Sequence, residues 1–156
     1  MKLEIYTDGS YAKETNSGAA SYVILLDGQL IHQYAIALPG FSSPASELSA
    51  VILALSTIKE PIEELKLYCD CTFVLGCGFG NFQRKKLPKL WKLFDKVLSK
   101  VKQQVPVIEA IHVKGHQKKS VISDQAFWNN YVDVLAKTAS TKALQKPITD
   151  KVYISI

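Results

Sequence analysis

The opening of the chain, up to Leu38, constrains the fold most: short apolar runs, the first of them alternating, are separated by turn signals that suit antiparallel neighbours. Lys2 to Thr7 alternates Leu3 and Ile5 with Glu4 and Tyr6, then meets Asp8-Gly9-Ser10, which reads as a strand running into a turn. The runs Ala19 to Leu26 and Leu30 to Leu38 are separated by Asp27-Gly28, a two-residue hairpin signal. Three antiparallel strands are predicted to open the chain.

The period then changes. Ser43 to Ile58 places Leu48, Val51, Ile52 and Leu55 at helical spacing, and Pro44 beside serines suits a helix start. Leu65 to Asp70 alternates again as a strand, and a short helix is expected from about Cys71 to Cys77. A basic, irregular stretch leads into an amphipathic helix from Pro88 to Gln104, with Leu90, Phe94, Val97 and Val101 on its apolar side. Val107 to Val113 reads as a strand, Lys114 to Gln125 as a loop, and Phe127 to Ala139 as a helix with Val132, Leu135 and Ala136 inward. Hairpin strands first and helix-crossed strands later predict an α/β fold. Its mixed sheet has five strands, three antiparallel and then two parallel, flanked by helices. A chain of 156 residues, 47% of them hydrophobic, accommodates one such domain, expected over residues 1–140. Residues 141–156 are left as a tail of uncertain structure.

Lys and Arg number 19 against 14 acidic residues, and Arg84 is the one arginine. Lysine is a hydrated point charge suited to phosphates, whereas the bidentate fork that reads guanine edges belongs to arginine. Lys85, Lys89, Lys92, Lys96 and Lys100 fall along one helical face, with Lys86 and Arg84 beside its start, so backbone contact with little base readout is the expectation for a nucleic-acid partner. No basic segment followed by an apolar run marks a secretion signal, and no stretch approaches membrane-spanning length. A cytoplasmic protein without a membrane partner is expected. Cys69, Cys71 and Cys77 are then reduced thiols; no second ligand pair at zinc spacing accompanies them.

Acidic residues fall where a site would need them: Asp8 and Asp70 at predicted strand ends, Glu47 near a helix start, Asp133 on the last helix. Singly, a turn residue, a helix N-terminal acid and a solvated side chain explain them. They sit, however, within Tyr6-Thr7-Asp8-Gly9-Ser10, Ser46-Glu47-Leu48, Tyr68-Cys69-Asp70 before Phe73-Val74, His112-Val113-Lys114-Gly115-His116 and Asn129-Asn130-Tyr131-Val132-Asp133-Val134-Leu135-Ala136. In that order and spacing the chain resembles the type 1 ribonuclease H family over about residues 1 to 140. The resemblance implies a ribonuclease H-like fold and an endonuclease that hydrolyses the RNA strand of RNA/DNA hybrids with little sequence specificity. It also implies that Asp8, Glu47, Asp70 and Asp133 bind two Mg2+ ions, with Mn2+ a possible substitute, and that His116 assists proton transfer or product departure. The chemistry has its own logic: paired hard cations activate water and stabilise the departing oxygen of a phosphodiester, and clustered carboxylates supply the ligands.

Hybrid contacts are expected from Gly9, Ser10, Ser43, Thr72 and Asn129 by the same resemblance, and from Arg84, Lys85, Lys86, Lys89 and Lys92 by charge. The chain departs from the family pattern in three places. Phe41 to Ser46 lacks the asparagine or threonine common upstream of the helix glutamate, the frequent Ser-Gln after the strand aspartate is Cys71-Thr72, and the basic protrusion shortens to Gly78 through Lys89. Two other classes fit less well. A catalytically inactive nucleic-acid-binding module would not need the full acidic set, and a resolvase- or transposase-like DNA nuclease needs further domains. A monomer without an obligatory protein partner is expected.

Overall fold

The computed structural model describes residues 1–114 and 123–151. Strand β1 (Lys2–Ala12) pairs antiparallel with β2 (Ser17–Leu26), and β2 with β3 (Gln29–Pro39). The β2–β3 turn is Asp27-Gly28, both at positive φ (49° and 84°), as a two-residue turn that follows strand twist requires. Helix α1 (Ser43–Ser56) crosses to β4 (Glu64–Cys69), which lies parallel to β1. Helices α2 (Thr72–Phe79) and α3 (Pro88–Gln104) then lead to β5 (Val107–His112), parallel to β4. Helix α4 (Asp124–Thr141) and strand β6 (Ile148–Lys151) follow. The sheet order is β5-β4-β1-β2-β3-β6.

Alternation along β1 separates two cores. Leu3 and Ile5 join Leu65 and Leu67 of β4 beneath α1 and α3, whose Leu48, Val51, Leu55, Phe94 and Val101 complete the larger cluster. Tyr6 faces the other way, stacked on Tyr68 with ring centroids 4.4 Å apart, in the cluster that holds Val132 of α4. The α/β fold with a mixed sheet is as the sequence predicts, with a sixth strand in place of the expected five. The extra strand comes from the supposed tail: Ile148 packs beside Ala19, Ala35 and Ala139 and pairs with Ala35 of β3. A four-residue strand carries too little alternation to be read from sequence.

Other boundaries move for local reasons. The turn expected at Asp8-Gly9-Ser10 is not one, because Asp8, Gly9 and Ser10 pair with Ser21, Ala20 and Ala19, and the chain reverses only after Ala12. What ends near Asp8 is the parallel ladder to β4, whose last pair is Thr7 with Cys69. Helix α1 stops at Ser56, short of Ile58, where the Thr57 hydroxyl donates to the Ala54 carbonyl at 2.7 Å. Helix α4 starts before Phe127 because Ser123 caps it, accepting from the Ala126 amide at 3.1 Å. On α3 the buried positions are Trp91, Phe94, Leu98 and Val101, so the stripe is turned slightly from the expected Leu90 and Val97, which are half-buried. No helix among the described residues is long and apolar enough to cross a membrane.

Candidate active site

Asp8 and Asp70 each lie one residue beyond the last pair of the β1–β4 ladder, so two adjacent strands deliver carboxylates to the same sheet end. Asp8 is buried, and the Gly9 amide donates to its Oδ1 at 2.9 Å. After β4 the Cys71 amide donates to Cys69 Sγ at 3.4 Å, which shapes the bend that carries Asp70.

Glu47 arrives because α1 can come down onto β1. The Ser42 hydroxyl caps α1 by accepting from the Ala45 amide at 3.3 Å. At Gly9 a β-carbon would run into the backbone of Ser46 and Glu47, and at Gly18 into the Ser46 hydroxyl. Glycine at both positions thus removes the strands' own side chains from the contact, so that the start of α1 sits directly on the sheet. Glu47 ends up buried, and its Oε2 has no hydrogen-bond partner among the described residues.

Asp133 comes from the opposite layer. Its helix is tied to β2 where the Ser21 hydroxyl donates to the Val132 carbonyl at 2.6 Å, and Tyr131 donates to Gln33 of β3. Asp133 itself pairs with Lys137, one turn on, at 3.0 Å.

The four acids named from the sequence therefore converge. Burial pushes Asp8 above the carboxylate range, and the charges of Glu47 and Asp70 add to it, with hydrogen-bonding contact to Glu47 and Asp133. Glu47 is raised by burial first and by Asp70 second. Repulsion of this kind among buried acids is relieved by cations, and an all-carboxylate set with one buried, unpartnered oxygen suits a hard divalent ion. The structure adds a neighbour that the sequence reading left out: Cys69 Sγ and carboxylate oxygens of Glu47 and Asp70 all lie within 4.8 Å of one another. Alternation on β4, which turns Cys69 the same way as Leu65 and Leu67 toward α1, was the available signal.

The remaining expected residues divide. His116 lies outside the described residues. Gly9 and Ser10 serve the framework, the first by admitting α1 and the second through a 3.0 Å contact with the Ser140 hydroxyl. Asn129 is buried, whereas Ser43 and Thr72 are exposed at the first residues of α1 and α2. Lys85, Lys86, Lys89 and Lys92 are exposed. Arg84 is engaged within the fold: it forks onto Asp95 at 2.7 and 2.9 Å, donates from Nε to the Cys77 carbonyl at 2.9 Å and stacks 4.5 Å from the Trp91 ring centre.

The family model for RNase H matches residues 1–141. A ribonuclease H from Clostridium botulinum is 30% identical, with 88% of this chain and 95% of that protein covered. A ribonuclease H from Chlorobium phaeovibrioides is 27% identical, with 90% and 97% covered. Among solved structures, LC11-RNase H1 in complex with an RNA/DNA hybrid superposes with a TM-score of 0.70 at 20% identity, over 92% of this chain and 99% of that one. The N-terminal RNase H domain of a Mycobacterium tuberculosis protein gives 0.71 at 20% identity, over 91% and 95%. With its fold, its converging acids and a family match over nearly its whole length, the chain belongs to the RNase H family of hydrolytic nucleases.

Proposed function

We propose that the chain hydrolyses the RNA strand of RNA/DNA hybrids at a centre where Asp8, Glu47, Asp70 and Asp133 hold two Mg2+ ions, with Mn2+ able to substitute. The observation that carries this is the convergence of four acids from two adjacent strands and both helical layers, with the Glu47 Oε2 left buried and unpartnered. A complex with such a hybrid is known for the structural neighbour LC11-RNase H1. When bound, paired divalent ions lower the pKa of water and stabilise the departing oxygen.

The chain's own residues perform the rest. Asp8 and Glu47 are held by the sheet and by α1, so little rearrangement accompanies ligand binding. Asp133, on α4, is paired with Lys137 and would exchange that partner for a cation held at the centre. His116 is assigned proton transfer or product departure, a role suited to a side chain that titrates near neutral pH. Lys85, Lys86, Lys89 and Lys92 contact phosphates, and Ser43 and Thr72 lie at helix starts from which hydroxyls can meet the hybrid. Residues 1–140 form the catalytic unit, which acts as a cytoplasmic monomer; β6 is an edge that the remaining segment adds.

The test is incubation with labelled hybrid, duplex RNA, duplex DNA and single strands, with and without Mg2+. Cleavage confined to the RNA of the hybrid and dependent on the metal is expected; equal cleavage of duplex DNA, or none of the hybrid, refutes the reading.

A further inference from the structure

A centre built for Mg2+ has no use for sulfur, yet Cys69 Sγ stands within 4.8 Å of carboxylate oxygens of both Glu47 and Asp70. The second observation is Glu47 itself: the residue is 8% exposed, and its Oε2 has no partner among the described residues. Cys69 packs in the cluster that holds Leu48, Val51 and Leu55 of α1, and the missing side chain at Gly9 lets the Glu47 backbone come down onto β1.

We propose that Cys69, Glu47 and Asp70 form a thiolate-carboxylate site for a soft or borderline divalent cation, Zn2+ or Cd2+, overlapping the hydrolytic centre and inhibiting it. The inference rests on the reading that Glu47 and Asp70 serve hydrolysis. Sulfur selects against Mg2+ and for these ions, which accept four ligands, so three protein atoms and a water complete the shell. Atoms about 2.0 to 2.3 Å from one ion stand roughly 3.5 Å from each other, so a shift of about 1 Å closes the site. As the metal–sulfur bond forms, the thiol releases its proton to solvent. Sharing Glu47 and Asp70 makes occupancy by the soft ion exclusive of full Mg2+ loading.

The test titrates Cd2+ into the metal-free full chain and follows the ultraviolet thiolate-to-cadmium charge-transfer band, with C69S, C69A and C71S in parallel. The wild type should bind one ion with the band. Both Cys69 variants should lose the band and bind Cd2+ more than about tenfold more weakly, since even an outer-shell partner contributes 10- to 100-fold, while C71S should keep it. Two variants guard against misfolding of either. A band that is absent from the wild type, or that survives in both Cys69 variants, overturns the site. Hybrid cleavage by the wild type in Mg2+, measured with and without trace Zn2+ and chelator, separates the two ideas. Cleavage without the band sinks only the soft site, whereas the band without any cleavage sinks the hydrolytic reading and the inhibitory role with it.

Discussion

Asp8 illustrates how one residue is tuned first by burial and then by its neighbours. Because its folded-state proton affinity is raised, the metal-free native chain retains protons that the unfolded chain releases above the ordinary carboxylate range, so native stability falls as pH rises through that range and beyond. Asp8→Asn should remove the repulsion and stabilise the metal-free protein at neutral pH by on the order of 1 kcal/mol or more. Thermal melts at pH 5 and pH 8 check this: the gain should be larger at pH 8, and added Mg2+ should stabilise the wild type more than the variant. Asp70→Asn should abolish cleavage while hybrid binding survives, as it removes a ligand charge without removing bulk; turnover near the wild-type rate would exclude the assignment. At Gly9 the demand is steric. Gly9→Ala forces α1 from the strand, an overpacking that costs about 1 to 3 kcal/mol, with cleavage lost along with the Glu47 position. All four acids could be named from the sequence because motif spacing survives without knowledge of contacts. The partnership of Cys69 could not, since it depends on how closely α1 descends.

Helix α3 and the segment before it carry the proposed grip on substrate. Replacing Lys85, Lys86, Lys89 and Lys92 with Gln should flatten the slope of log affinity against log salt by up to about three units, at roughly 0.7 to 0.9 per phosphate contact. Cleavage at saturating hybrid should change little, and the loss should be uniform across hybrid sequences. An unchanged slope would leave the lysines a solvated surface. Spacing alone revealed this stripe. The role of Arg84 was hidden, because its partner Asp95 and its platform Trp91 come within reach only after the chain turns into α3. Arg84→Ala should therefore act through geometry, lowering hybrid affinity with all the lysines still present, while an Arg that met phosphate directly would subtract a single contact's salt dependence. Comparing salt slopes of that variant and the quadruple variant distinguishes the two.

At the scale of the whole molecule, the fold was legible wherever the period of apolar residues was long enough to declare itself, as in α1 and α3, and where a turn signal bounded an apolar run, as between β2 and β3. It was illegible where pairing was decided from afar. β1 runs on through Asp8 because β2 lies opposite, and β6 exists because β3 had an open edge. The point where β1 and β4 stop pairing has a consequence of its own. Side chains on a strand reverse face at every residue, so the ladder that ends at Thr7 and Cys69 works as a vernier scale, fixing both the spacing and the phase of the two acids that follow it. Lengthening β4 by one residue would leave a chain that can still bury Leu65 and Leu67 yet misphases Asp70 by half a turn of the scale. An insertion in this one parallel pair would therefore part the two acids even with every helix left intact, whereas helix positions away from Glu47, Asp133 and the lysines can change without touching that spacing.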